Sequence, residues 1–207
     1  MSPAARRRRA RHAAEHRHMR DRLLDLWHGA DPATVQAGRE WYPAAEGIVA
    51  ALAERYHAPR PHVAGILAAL SPQQRWRRNV LSAVAVLEGE PRRAAGYKPN
   101  VAKAEAIAAG HPPLGVLGGD KVTAFWANLY GSRHAVTIDT WMTRAATGAT
   151  RAPEQPKGAY YARIRNALES AAAMAGEHPR EFQAAVWLAI RPSLEHHKDK
   201  IQIGEIA

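Results

Sequence analysis

The chain of 207 residues contains no cysteine. That absence excludes disulfides, cysteine-held iron–sulfur clusters and thiolate metal sites. No apolar run approaches the length that crosses a bilayer, so no membrane partner is expected. The opening MSPAARRRRARH lacks the apolar core of a secretory signal. A cytoplasmic protein is therefore the default, nucleoid-associated or, if phage-encoded, in the host cytoplasm. Runs of strand-forming residues are few, and there is no P-loop glycine motif and no internal repeat. Acidic residues are also short: 19 Asp and Glu face 29 Lys and Arg, a formal net charge of +10. That balance points to a polyanionic partner, with nucleic acid the first candidate.

What is present is apolar residues, heavily alanine, at helical spacing, and this predicts an all-α fold. Residues 1–18 read as a basic flexible arm, with Arg6–Arg9 in one run and residues 19–207 forming a single domain. His12 and His16 have the spacing of metal ligands on a helix but no third ligand nearby, so no metal site is assigned. A short amphipathic helix is expected from Met19 to Trp27. Another is expected from Ala44 to Tyr56, after Trp41-Tyr42-Pro43 punctuates the chain. Val63–Leu70 is apolar almost all round, the mark of a helix buried at the centre of a domain. Ser71-Pro72-Gln73-Gln74 reads as a capping box opening a helix to Leu87, which displays Arg75, Trp76 and Arg77. Glu88–Pro99 is a loop by composition. Helices follow at Asn100–Ala109, with Lys103 exposed, at Lys121–Tyr130, at Ala159–Ala175 and at Pro179–Ile190. His196 and His197, adjacent and so pointing apart, read as surface.

The most informative stretch is Leu117–Gly148, in which Gly118-Gly119 precede a helix start bearing Lys121, and a loop returns to Asp139. A helix of ten residues is about 15 Å long, and an eight-residue loop spans up to about 26 Å, so the chain can double back. The amine and the carboxylate can then meet. Backbone N–H groups at Gly118, Gly119 and the helix start can hold a phosphate without reading sequence. Asp139 also suits a helix N-cap ahead of Thr140-Trp141-Met142.

Three stretches in order, ALSPQQRWRRN (69–79), NVAKAEAI (100–107) and LGGDKVTAFWANLYGSRHAVTIDTWMTRAATG (117–148), resemble the helix-hairpin-helix DNA glycosylases of the endonuclease III type. The resemblance covers about residues 60–150. It implies two helical lobes with a helix-hairpin-helix motif at the cleft, lobe one about 60–135 and lobe two about 19–58 plus 139–207. It implies a monomer that works on double-stranded DNA with a flipped base and needs no cofactor. Lys121 matches the nucleophile of the glycosylase/lyase members, and Asp139 the aspartate that supports base departure. Gln73, Gln74, Arg75, Arg77, Lys103, Gly118, Gly119 and Asp120 become candidate DNA contacts, and Trp76 and Trp141 candidate walls of a base pocket. The hairpin Val116-Leu117-Gly118-Gly119 departs from the family's proline, glycine, apolar, glycine. Trp141 stands where many members have histidine, and the interval before the hairpin is short. A phage-type branch of the same fold, proposed to modify hypermodified thymines in place, is the first alternative. A non-catalytic DNA-binding module is the second.

Overall fold

The structure, a computed structural model, describes residues 2–151 and 154–191. Every regular element among them is helical, as the composition predicts. The expected surface histidines His196 and His197 lie outside the described residues. The chain divides into two units.

The first unit holds residues 1–41 and 136–191. Its longest element is α1 (Pro3–Gly29), which also takes in the basic segment expected to be a flexible arm. Ser2 caps that helix by accepting a hydrogen bond from the Ala5 N–H at 3.2 Å, and Pro3 sits at its first position. Alanine and arginine are strong helix formers, so the segment continues as helix although nearly all of it is exposed. Farther along α1, Met19, Leu23 and Trp27 repeat at helical spacing on the buried face. They pack with α8 (Thr140–Thr147), α9 (Gly158–Met174) and α10 (Pro179–Ile190) around Ile138, Met142, Ile164, Leu168 and Phe182. Trp27 stacks on Phe182 with ring centroids 5.0 Å apart. The first part of α2 (Pro32–Arg55) joins this unit, and Gly38 brings it so close to α10 that a Cβ there would lie 2.4 Å from the Ala185 Cα.

Helix α2 runs through Trp41-Tyr42-Pro43 without a break, where the sequence suggested an interruption. Proline removes one helical N–H and crowds the preceding turn, yet the apolar residues Tyr42, Ala45, Ile48, Val49 and Leu52 are buried along one stripe. That burial outweighs the missing bond. The division between the units falls at 41/42, beside this proline. On the return path it falls at 135/136.

The second unit contains the rest of α2 and residues to 135. At its centre lies α3 (Arg60–Leu70), with every residue from Val63 to Leu70 buried, as its all-round apolar character predicts. Around it pack α4 (Trp76–Leu87), α5 (Lys98–Ala108), the single turn α6 (Pro113–Val116) and α7 (Asp120–Leu129). Asn79 donates its side-chain amide to the Leu67 carbonyl at 3.1 Å, tying α4 to α3.

The capping box is not formed. Ser71 ends α3 and donates to the Ala68 carbonyl at 2.9 Å, Gln73 takes a positive φ of 61°, and α4 begins only at Trp76. A left-handed residue cannot open a right-handed helix, so residues 71–75 form a turn.

Candidate nucleic-acid site

Asp139 is the N-cap of α8, and both of its carboxylate oxygens are engaged. One accepts from the Met142 N–H at 2.8 Å, and the other from the Trp187 indole N–H at 3.0 Å. The backbone leading into it is fixed from α9: the Tyr161 hydroxyl donates to the Val136 carbonyl at 2.6 Å and accepts from the Ile138 N–H at 3.2 Å. Gln155 adds a bond to the Ile138 carbonyl at 2.7 Å. Asp139 is thus a half-buried carboxylate held by α8 and α10, on a backbone fixed by α9 and Gln155. A carboxylate has about four lone-pair sites, so two donors leave capacity for a further contact. Trp187 was not legible as its partner, being 48 residues away.

Trp141 is half-buried in the same unit, and the Arg144 guanidinium lies 4.9 Å from its ring centroid. The indole expected as a base-pocket wall therefore has a cation over it.

The remaining candidates belong to the second unit. Gly119, with φ 81° and ψ 144°, is the N-cap of α7. That backbone is nearly exclusive to glycine. Lys121 stands in the first turn, half-buried, beside Asp120. The amine of Lys103, on α5, reaches the turn as well: a Cβ on Gly118 would lie 3.6 Å from its Nζ. The segment Val116–Asp120 is thus a single helical turn, a sharp glycine turn and a new helix, with one lysine alongside and another on the first turn. An anion at this end of α7 would meet first-turn backbone N–H groups and the positive end of the helix dipole. Asp120 opposes that attraction in part.

Gln73 and Gln74 do different things. Gln74, half-buried, is a clamp: its amide donates to the Ala95 carbonyl and its oxygen accepts from the Ser82 hydroxyl at 3.3 Å. Its contact with residues 94–97 is so tight that a Cβ on Gly96 would lie 2.7 Å from its amide nitrogen. Gln74 thus serves the loop rather than a ligand. Gln73, by contrast, is exposed, and its side-chain oxygen accepts from the hydroxyl of Tyr97 at 2.5 Å. Tyr97 is itself 53% exposed, a large aromatic left in solvent beside a strained polar residue. Its position within a loop rich in charge and glycine was the only sequence signal for it. Arg75 and Arg77 are exposed at the start of α4, while Trp76 between them is half-buried with its ring edge-on to Phe125 at 6.3 Å.

The sequence model of a family of unknown function, DUF7178, matches residues 5–194. No curated protein and no solved structure matches the chain.

Proposed function

We propose that this chain, which belongs to the family of unknown function DUF7178, is a DNA-base enzyme. In this reading it is a glycosylase that extrudes a damaged or modified base from double-stranded DNA and breaks its N-glycosidic bond. The observation that carries the reading is the cationic glycine turn at the head of α7, with the Lys103 amine against Gly118 and Lys121 one residue inside the helix. Such a turn suits a phosphate gripped without regard to sequence, the need of an enzyme that must find one odd base in any context.

The chemistry follows from two side chains. Breaking the bond develops positive charge on the sugar, and the Asp139 carboxylate, already oriented by Met142 and Trp187, stabilises it. Where a lyase step follows, the unprotonated Lys121 amine attacks the anomeric carbon. The base leaves with the bonding pair; the amine then gives up a proton, the C1′–O4′ bond breaks with O4′ taking up a proton, and an iminium joins lysine to the opened sugar. Gln73, exposed and held in a left-handed conformation beside Tyr97, is the residue assigned to the gap left by the extruded nucleotide.

A second reading is favoured by one feature of Asp139. Both oxygens already serve the fold, as a plain N-cap and an indole acceptor would require. On that reading the protein is a non-catalytic DNA-binding module. The two separate on oligonucleotides carrying different lesions and modified bases, scored for free base and for strand scission. The enzyme reading expects release from at least one substrate and, where a lyase step follows, borohydride trapping that Lys121→Gln abolishes. Binding to every duplex with no free base from any would establish the module instead. Altered nucleosides by mass spectrometry, with no release, would point to modification in place.

A further inference from the structure

On the first unit, α1 and α8 border an open hollow of about 240 Å³. Arg22, Leu26, Trp141, Arg144, Gly148 and Ile190 line it. Two guanidinium groups at one small hollow repel each other unless something offsets their charge. Here no carboxylate does so among the described residues. Asp21 pairs with Arg20 at 2.6 Å instead, and neither Arg22 nor Arg144 forms an ion pair with a described residue.

The two arginines share a second property. The Nε of each is buried yet has no hydrogen-bond partner among the described residues. An unpaired buried donor costs about 1–3 kcal/mol and calls for an explanation. The ordinary one is weak here. The negative end of the α8 dipole lies near Gly148 and attracts cations, but a dipole satisfies neither Nε. Placement is tight as well. Gly148 has φ 72°, and a Cβ on it would lie 2.8 Å from the Arg22 guanidinium carbon and 3.1 Å from its Nε. The Arg22 guanidinium therefore occupies space that a side chain at position 148 would take. Arg144 is placed by the face of Trp141, 4.9 Å away. Both forks are oriented before any ligand arrives.

We infer that this hollow is a phosphate-binding site, with Arg22 and Arg144 as paired donors to a single phosphoryl group. The planar fork of arginine matches phosphate oxygens in pairs, and two forks supply the donors and the charge that a dianion requires. The apolar wall of Leu26 and Ile190 leaves room for an organic substituent on the phosphate. The site belongs to the first unit, the turn at α7 to the second, and the assignment does not depend on the glycosylase reading.

The full-length protein is titrated with inorganic phosphate, with a 5′-nucleoside monophosphate and with a short DNA duplex. Calorimetry gives affinity, and the arginine Nε–H resonances show where binding occurs. Phosphate is expected to move two Nε–H signals, those lost in Arg22→Gln and Arg144→Gln, with saturation at one equivalent. Each of these variants weakens binding about tenfold or more. Arg144→Lys, which keeps the charge but has no fork, weakens it comparably. Arg92→Gln, an equal loss of charge on an exposed residue of the other unit, leaves it unchanged. If the duplex moves the same two signals, the phosphoryl group is that of the DNA backbone. If the mononucleotide moves them and the duplex does not, it is that of a free phosphomonoester. Absence of saturation with phosphate, or equal weakening by Arg92→Gln, overturns the assignment.

Discussion

Replacing Asp139 by asparagine alters one atom, and the structure fixes what that atom does. Aspartate offers an acceptor oxygen to each of two donors, the Met142 N–H at 2.8 Å and the Trp187 indole N–H at 3.0 Å. Asparagine offers only one oxygen, and whichever donor it serves, its NH₂ group faces the other. One partly buried donor is then unpaired, at a cost of about 1–3 kcal/mol. As an N-cap, asparagine equals aspartate, so the whole cost arises from the indole. Trp187→Phe removes that donor and keeps a ring beneath Arg191, whose guanidinium lies 4.2 Å from the Trp187 ring centroid. In the Trp187→Phe background, Asp139→Asn should then cost only a few tenths of a kcal/mol. The coupling between the two substitutions is thus about 1–3 kcal/mol, within the range known for residues in contact. Urea denaturation of the four proteins, followed by far-UV circular dichroism, measures it directly. If Asp139→Asn costs the same in both backgrounds, the indole does not hold the carboxylate and the account of its orientation is wrong.

Four further outcomes are expected. Gly38→Ala should destabilise the protein by about 1–3 kcal/mol of overpacking, less the roughly 1 kcal/mol that alanine gains in a helix, because the added carbon meets the backbone of Ala185. Gly115→Ala, in open space, should leave the urea midpoint unchanged or raise it. The Thr34 hydroxyl and, next, its backbone N–H hold the Asp31 carboxyl below its ordinary 3.8. This stabilisation is present above 3.8 and is lost as pH falls through the lower, folded value. Thr34→Val should move the Asp31 carboxyl titration, followed by NMR, back toward 3.8. Asp120→Asn should tighten DNA binding and steepen its salt dependence, since it removes a negative charge beside the α7 turn; weaker binding in an anisotropy titration would contradict the phosphate role given to that turn.

The parts of the fold that sequence made legible are those set by local rules. The buried run Val63–Leu70, the cap at Asp139 and the helices after Gly158 follow from periodicity, capping chemistry and propensity. The misreadings have long-range causes. Ser71-Pro72-Gln73-Gln74 has the residues of a helix start, but Gln74 bonds to Ala95 and Gln73 to Tyr97, 21 and 24 positions on. Those partners hold a turn that no local pattern announces. Pro43 signals a break, and the burial of one stripe of α2 overrides it. The basic start was read by charge alone, although Ser2-Pro3 before an alanine-rich run is itself a helix signal. At the candidate site the acid, the glycine turn and Lys103 were legible, whereas Trp187, Tyr97 and the pairing of Arg22 with Gly148 exist only through folding.

The proposed action of Asp139 on the sugar of an extruded nucleotide is open to one comparison. Free base released from a lesion-bearing duplex is measured for wild type, Asp139→Asn and Trp187→Phe under conditions in which all three are folded and bind the duplex equally. The account predicts that release disappears in Asp139→Asn and falls only partly in Trp187→Phe, where the carboxylate survives but loses its orienting bond. Release by Asp139→Asn at the wild-type rate would contradict it.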